Sequence, residues 1–363
     1  MSKDNGCVYQ YSPQALAASF QSFRTTEREA YLKAPLPDVK VTTARSNNTS
    51  DGSFVVAAVQ MTGGGLEQSS VQGFCQRAEA GIIQAVQNFQ AQLILLPELW
   101  NGPYFCQSQE ACLQSLAQPL DNNILLQRLA QLAKKYQVVL PISLFEESNN
   151  VLFNSIVVLE SDGSLVQDGK IYRKSHIPDG TGYQEKFYFS PGDTRGGGVF
   201  ETSLGKIGVA ICWDQWFPEL ARILALQGCE LLLYPTAIGT EPQDATIDSS
   251  EHWQRVMQGH AAANMIPVVA ANRFGTEILL EDDDDDEKEK QRINFYGKSF
   301  ITDQTGAIVA QAPDNTLNEV VQVISSTIHP ARNKAERLAW GLFRDRRPDL
   351  YTPLASKDGA VNH

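Results

Sequence analysis

The feature that most limits the fold is an alternation, from residue 54 onward, between short apolar runs rich in β-branched residues and longer windows with helical spacing of apolar residues. The apolar runs predict strands over seven segments: 54–60, 93–98, 138–144, 155–160, 206–212, 230–236 and 266–272. The longer windows predict four amphipathic helices: 71–90, 122–136, 217–228 and 250–264. Strands that alternate with helices predict an α/β fold, and several of these strands are apolar throughout, as in sheets covered on both faces.

The last third of the chain departs from this alternation. Segments 294–303 and 307–312, separated by Gln304-Thr305-Gly306, predict a β-hairpin. A further strand is predicted over 319–325, before a final helix from about 327 to 340.

Residues 1–52 lack the regular alternation of strand and helix patterns that begins at residue 54. Ser12-Pro13 predicts the start of a helix with apolar residues on one face, and a polar run over 46–53 separates it from the first regular strand. We therefore predict three parts, namely an appended N-terminal arm over 1–52, one domain over 53–354 and a C-terminal tail over 355–363.

The net charge of −12, from 30 Lys and Arg against 42 Asp and Glu, is concentrated in one place. Residues 281–290 read EDDDDDEKEK and carry half of it. Like charges repel one another and stay hydrated, so we predict a disordered loop insert within 276–292, with weak binding of cations or polyamines as the alternative. The rest of the chain is mildly acidic without a basic stripe, which predicts no nucleic-acid partner.

No apolar run approaches the roughly 18 residues that a membrane-spanning helix needs, and the N-terminus lacks the pattern of a signal peptide. The six cysteines form no C-x-x-C pair, and a chain of this length needs no disulfides to fold. These observations predict a cytoplasmic protein with free thiols and no membrane partner.

Cys212 is the strongest candidate nucleophile. It ends the apolar run 206–212, and a helix is predicted to open soon after it, at Phe217-Pro218-Glu219. A thiol at a strand end beside a helix N-terminus lies in a positive field that favours thiolate. Most unpaired cysteines in proteins are buried structural residues. We interpret four others in this way: Cys75, Cys106, Cys112 and Cys229.

The base that such a nucleophile needs is not an obvious histidine. His252 and His260 are eight residues apart on a predicted helix, about 12 Å along its axis, too far to share a metal, and we interpret both as structural or supporting groups. Glu98 is a better candidate because it ends an apolar strand, where a carboxylate needs a partner such as Lys174. Taken alone, Glu98 also fits a carboxylate in a loop, and Lys174 also fits a lysine exposed to solvent.

Three strings resemble, in order, the Glu, Lys and Cys motifs of the carbon-nitrogen hydrolase, or nitrilase, superfamily. They are LLPELW (95–100), YRKSHIPD (172–179) and GVAICWDQWFPE (208–219). Four further strings resemble the branch of that superfamily that hydrolyses N-carbamoylputrescine: 182–194, 233–244, 252–264 and 340–351. The resemblance covers about residues 54–354, leaving out the arm and the acidic run.

The resemblance implies a four-layer αββα sandwich whose catalytic residues are Glu98, Lys174, Cys212 and a second glutamate, Glu185. It implies no metal and no organic cofactor. One departure is Thr181, which stands where proline is expected and bears on loop stiffness rather than on the chemistry.

The implied roles are consistent with general chemistry. Glu98 would take the Cys212 proton as Sγ attacks the ureido carbon, and would return a proton to the departing ammonia. Lys174 and the backbone N–H of Trp213 would hold the oxyanion, while Glu185 positions substrate and water. The products would be putrescine, CO2 and ammonia, through a thiol-ester intermediate.

The implied partner is a small cationic ureido-amine, so the pocket needs carboxylates or aromatic rings. The segment after the 230–236 strand supplies the candidates Glu241, Asp244 and Trp253, with Asp248 and Glu251 nearby. An N-carbamoyl acid or ω-amide is the alternative substrate, for which Arg273 would serve. A silent scaffold whose acidic loop binds a partner is a second alternative. Assembly into a homo-oligomer of at least two chains is implied by the resemblance as well.

Overall fold

The computed structural model describes residues 8–39, 52–62, 71–193, 197–244, 246–280, 291–313 and 319–360. The acidic run at 281–290 lies outside the described residues. Within them the strands are β1 (Val8–Tyr11), β2 (Phe54–Thr62), β3 (Leu93–Leu95), β4 (Leu140–Ser148), β5 (Val151–Leu159), β6 (Tyr172–Arg173), β7 (Val199–Thr202), β8 (Gly205–Val209), β9 (Leu231–Pro235), β10 (Val268–Ala271), β11 (Arg273–Leu279), β12 (Arg292–Tyr296), β13 (Phe300–Thr302), β14 (Ile308–Gln311) and β15 (Val321–Ile328). The α-helices are α1 (Pro13–Ser22), α2 (Arg28–Lys33), α3 (Val71–Phe89), α4 (Ile124–Tyr136), α5 (Pro218–Leu226), α6 (Ser250–Asn264) and α7 (Pro330–Trp340).

Two large sheets form the centre of the molecule. The first has the order β1-β11-β2-β15, with β12 beside β11 and β3 beside β2. An isolated bridge between Leu93 and Val139 leads from β3 toward a three-stranded sheet of order β4-β5-β6. The second large sheet has the order β14-β13-β10-β9-β8-β7.

Strand β2 shows how these layers stack. Ala57 and Val59 lie in the core that contains buried side chains of α3 and α4, whereas Val56 and Ala58 lie in the core that contains the second sheet, α5 and α6. Because successive side chains of a strand point to opposite faces, β2 separates the two cores. Strands of the two large sheets contact each other directly, so each helix pair covers an outer face. The predicted four-layer αββα sandwich is confirmed.

The segment predicted as one strand over 294–303 is divided between the two sheets, so that prediction was wrong. Strand β12 pairs with β11 in the first sheet, and β13 pairs with β10 in the second. Gly297 separates them at a φ of 63°, a left-handed conformation that ends the first strand and that glycine adopts without strain. The predicted hairpin around Gln304-Thr305-Gly306 is present as β13 and β14.

Residues 8–39 of the predicted N-terminal arm pack onto the domain. Strand β1 runs parallel to β11, with Tyr9 opposite Glu277. Tyr9, Tyr11 and the apolar face of α1 are buried in the same core as α3 and α4. The four-residue strand was too short to be recognised in the sequence, although its alternating side chains are buried and exposed in turn.

Candidate active site

A buried lysine joins two glutamates from different parts of the chain. Lys174 Nζ lies 2.9 Å from Glu98 Oε1 and 2.6 Å from Glu185 Oε2, and all three side chains are inaccessible to solvent. Glu98 follows β3, Lys174 follows β6, and Glu185 opens a short 3-10 helix, Glu185–Phe187. The predicted pairing of Glu98 with Lys174 is therefore present, and Glu185 completes a three-membered network.

Neighbouring side chains add one hydrogen bond to each of the two carboxylates. The Asn154 amide donates to Glu98 Oε1 at 2.7 Å, and the Tyr104 hydroxyl donates to Glu185 Oε1 at 2.7 Å. Glu98 Oε2 is also buried and has no hydrogen-bond partner. This oxygen is available to accept a proton from a reacting group.

The charges in this network follow from burial and proximity. Burial opposes the charged form of Lys174, but Glu185 and Glu98 outweigh it and hold the pKa of Lys174 well above its usual value. Burial raises the pKa of Glu185 to about 7, against the lowering effect of Lys174. Lys174 is thus a cation at neutral pH, and its side chain is fully buried.

Cys212 lies on a tight turn between β8 and α5. Strand β8 ends at Val209, and Cys212 begins the 3-10 helix Cys212–Trp216 with a φ of 43°, a left-handed conformation that is uncommon for a residue with a side chain. Asp214, buried in this turn, accepts hydrogen bonds from the backbone N–H of Ile211 and from the Tyr172 hydroxyl. The turn presents the sulfur beyond the end of the strand.

The field at Cys212 differs from the sequence prediction. A neighbouring helix start was expected to favour thiolate, but burial, followed by the negative charge of Glu98, raises the pKa of the Cys212 thiol well above its usual value. Sγ lies 3.7 Å from the Ala237 carbonyl oxygen, to which the thiol donates. Cys212 therefore rests as a thiol, and a nearby base must remove its proton.

Cys212 opens into a cavity of about 430 Å³. Its buried end includes Cys212 and Glu185, and Trp213, which is 41% exposed, lies at the open side. The other described residues that line it are Pro178, Asp179, Gly180, Tyr183, Gln215, Trp216, Ala237, Ile238, Glu241, Gln243, Ser249 and His252. The described lining thus contains carboxylates and aromatic rings but neither arginine nor lysine.

The three residues predicted to bind the far end of the substrate lie in different surroundings. Glu241 lines the cavity, half-buried. Asp244 is exposed and holds its own loop, since its carboxylate accepts from the backbone N–H of Thr246 at 2.9 Å. Trp253 is fully buried in the core, where its indole N–H donates to Gln215 Oε1 at 2.7 Å. The predicted contacts of Asp244 and Trp253 with substrate are therefore corrected, because neither side chain reaches the cavity.

Arg273 does not face the cavity either. It is buried, and its guanidinium donates to the carbonyl oxygens of Glu98 at 3.0 Å and Gly102 at 2.8 Å and to the carboxylate of Glu277 at 3.1 Å. These contacts fix the loop that follows Glu98. Arg273 is therefore not placed to bind the carboxylate of an acidic substrate, the role for which the sequence offered it.

The two helix histidines have different surroundings. His260 is buried, and its Nε2 lies 2.7 Å from the Gln215 carbonyl oxygen, so it is a structural group as predicted. His252 lines the cavity and lies beside Trp216, with 4.9 Å between ring centroids. The sequence did not predict this position of His252 in the cavity wall.

Sequence reasoning missed several residues of the site. Tyr104 and Asn154 hold the carboxylates, and Gln215 lines the cavity. Only Gln215 carried a usable signal, because it stands three residues after Cys212 on the same short helix. Among the described residues no group of three or more His, Cys, Asp or Glu side chains is arranged to hold a metal ion.

The carbon-nitrogen hydrolase family model matches residues 55–334. The chain belongs to this family. Among its relatives, an N-carbamoylputrescine amidase of Arabidopsis thaliana is 54% identical over 74% of this chain and 86% of that protein. A citrullinase of Francisella tularensis subsp. tularensis is 47% identical over 83% of this chain and 98% of that protein.

A solved carbon-nitrogen hydrolase structure from Helicobacter pylori G27 has the same fold. It is 35% identical, with a TM-score of 0.74 that covers 84% of this chain and 99% of that one. The family region therefore begins after the N-terminal arm and contains every residue of the buried network and the cavity.

Proposed function

We propose that this carbon-nitrogen hydrolase converts N-carbamoylputrescine and water to putrescine, CO2 and ammonia. The observation that carries the proposal is the cavity, where Cys212 and Glu185 lie at the buried end and Glu241 and Asp179 supply negative charge. A substrate with a ureido group at one end and an ammonium group at the other matches both ends. The relatives named N-carbamoylputrescine amidase support the same substrate.

In the first half of the reaction, Glu98 Oε2 removes the Cys212 proton and Sγ attacks the ureido carbon. Negative charge develops on the ureido oxygen. The Lys174 ammonium and the Trp213 N–H stabilise it, since the early amides of a helix lack acceptors within that helix. A ureido carbonyl is a weak electrophile because both nitrogens donate into it, so a fixed cation is required. Glu98 then returns the proton to the leaving ammonia.

In the second half, water attacks the carbonyl carbon of the S-carbamoyl intermediate. Glu98 takes the water proton and delivers it to Sγ as the carbon–sulfur bond breaks, while Glu185 holds the water and Lys174 in place. The released carbamate loses CO2 and frees the diamine. Each proton taken by Glu98 is thus returned within one turnover.

The far ammonium group is assigned to Glu241. This carboxylate lines the cavity, and the rings of Tyr183, Trp213 and Trp216 offer faces that attract cations. A substrate that ends in a carboxylate would meet like charge without a compensating cation among the described lining residues.

The test is ammonia release from N-carbamoylputrescine, citrulline and N-carbamoyl-β-alanine by wild type and Cys212→Ala. We expect turnover of N-carbamoylputrescine at least tenfold above the other two, and none in Cys212→Ala. Preference for citrulline, which adds a carboxylate beside the ammonium group, would favour the activity that names the Francisella relative. Preference for N-carbamoyl-β-alanine would overturn the assignment of a cationic substrate.

Glu241→Gln tests whether the Glu241 carboxylate binds the far ammonium group of the substrate. We expect KM for N-carbamoylputrescine to rise about tenfold with kcat nearly unchanged, since the lost interaction is made equally in ground and transition states. Asp244→Asn is the matched control, because it removes a carboxylate three residues away that does not line the cavity. Equal KM values in the two variants would contradict the role of Glu241.

We also propose a cytoplasmic homo-oligomer. Cys75, Cys106 and Cys229 are buried thiols without disulfides, which supports a reducing compartment. Leu338, Trp340 and other apolar side chains near the C-terminus are largely exposed, which supports a further protein contact there. Fractionation of cells that express the full chain tests the compartment. The described residues include no helix both long and apolar enough to span a membrane.

A further inference from the structure

The N-terminal arm reaches the support of the active site. It lies outside residues 55–334, the region that the family model matches. Strand β1 nevertheless extends the first sheet, pairing in parallel with Thr276–Leu279 of β11. Tyr11, the last residue of β1, is buried and directed into the core.

The hydroxyl of Tyr11 is bonded to the residue that holds Glu185. It donates to the carbonyl oxygen of Tyr104 at 3.0 Å. On the other side, the backbone N–H of Tyr104 donates to Glu277 Oε2 at 2.6 Å. The Tyr104 hydroxyl then donates to Glu185 Oε1 at 2.7 Å. Both polar groups of the Tyr104 backbone are thus fixed while its side chain contacts the catalytic network.

Strand β11, the partner of β1, also fixes the backbone at Glu98. Glu277 lies opposite Tyr9 of the arm and pairs with Arg273 at 3.1 Å. The Arg273 guanidinium in turn donates to the carbonyl oxygens of Glu98 and Gly102. The loop that carries Glu98 at one end and Tyr104 at the other is therefore held by β11, and β1 covers the edge of β11 at this point.

We propose that the N-terminal arm is a component of the active site, in which Tyr11 is a positioning residue that acts through Tyr104 on Glu185 and Lys174. The arm does not touch substrate. Its hydroxyl fixes the backbone from which the Tyr104 side chain reaches Glu185, and a shift of that backbone would lengthen the bond that holds the carboxylate against Lys174. The inference uses the proposed amidase activity only as one of its assays.

Tyr11→Phe removes one hydroxyl and keeps the ring. We expect kcat for N-carbamoylputrescine to fall about fivefold, the effect of one hydrogen bond, with KM nearly unchanged because the cavity lining is intact. The matched control is Tyr136→Phe. The Tyr136 hydroxyl donates to the carbonyl oxygen of Pro37, also in the arm, at 2.7 Å but on the α4 side. A lower Tm in both variants with kcat unchanged in both would reduce Tyr11 to a structural anchor and overturn the proposal.

A double-mutant cycle tests the route through Tyr104. In a Tyr104→Phe background the hydroxyl on Glu185 is already absent, so Tyr11→Phe is expected to lower kcat by less than twofold further. A full fivefold further loss would show that Tyr11 acts independently of Tyr104 and would overturn the proposed route.

A readout without substrate separates this inference from the proposed function. The rate at which iodoacetamide alkylates Cys212, followed by peptide mass spectrometry, reports the arrangement of Glu98, Lys174 and the thiol. We expect wild type and Tyr136→Phe to react at the same rate, and Tyr11→Phe to differ from them in the same direction as Tyr104→Phe. Absence of turnover by wild type would contradict the proposed substrate, whereas equal alkylation rates in all four proteins would contradict the role of the arm.

Discussion

Lys174 is a fully buried cation whose charge depends on two carboxylates. Removing a charge from water is costly, and only close, well-oriented partners offset the cost. Glu98 and Glu185 supply these partners, and the resulting fixed ammonium group suits stabilisation of an oxyanion. The same arrangement makes the folded state sensitive to loss of any one member.

Lys174→Ala is expected to abolish turnover and to lower the free energy of unfolding by about 3–5 kcal/mol at pH 8. Without the ammonium group, Glu185 loses the charge that lowers its pKa, so burial holds its folded-state pKa still further above its unfolded value. The penalty from Glu185 is full above the raised pKa and shrinks as pH falls toward the unfolded value, so the loss should be smaller at pH 5. Urea unfolding of wild type and variant at both pH values measures it. An equal loss at pH 5 and pH 8 would contradict the coupling.

Glu185 predicts the acid limb of the activity. Burial raises its pKa to about 7, and its charged form holds Lys174, so kcat/KM should rise with pH through about 7. The hydrogen bond from Tyr104 lowers this pKa. Tyr104→Phe should therefore move the limb to higher pH, by about one unit, in initial-rate profiles. Movement to lower pH would argue that another group controls the limb.

The turn between β8 and α5 is the element that aims the nucleophile. Its left-handed Cys212 needs support from its surroundings, and Asp214 provides it. Besides Ile211 and Tyr172, this carboxylate accepts from the backbone N–H and the ring Nδ1 of His176, at 3.0 and 2.7 Å. Since His176 is two residues after Lys174, Asp214 ties the lysine loop to the cysteine turn.

Asp214→Asn replaces one of these acceptor oxygens with a donor. We expect a loss of about 1–3 kcal/mol in stability and about a tenfold fall in kcat, because displacement of the turn misplaces Sγ. Denaturant unfolding and initial rates measure the two effects. Asp303→Asn is the control, since Asp303 also accepts backbone N–H bonds in a turn, between β13 and β14. An unchanged kcat in Asp214→Asn would separate the turn from the chemistry.

The elements that the sequence predicted well are those with long periodic patterns. Helix α6 was predicted at its observed bounds, but the pattern did not show that Trp253 faces the core rather than the cavity. Glu98, Lys174 and Cys212 carried recognisable motifs. Tyr104 carried none, because it lies in an irregular segment and its partner Glu185 is 81 residues away. Such contacts depend on the assembled fold and leave no local trace.

For the whole molecule, the exposed apolar side chains near the C-terminus predict association. Leu338, Trp340 and Leu354 are 68%, 71% and 66% exposed. Large apolar side chains exposed near one another are typical of a surface that contacts another protein. Light scattering of the full chain should give a mass of at least two protomers, and Trp340→Glu should shift it toward one. A mass of one protomer for the unmodified protein would contradict the proposed oligomer.

The pairing of β1 with β11 also sets an order of events during synthesis. The paired residues of the two strands, such as Val8 and Thr276, are 268 positions apart in the chain, so β1 leaves the ribosome long before its partner exists. Closing so large a loop is slow, and β1 has no strand partner until it closes. The pairing of β1 is therefore a late step of folding. Residues 8–11 thus reach their paired position only after residues 276–279 have been made.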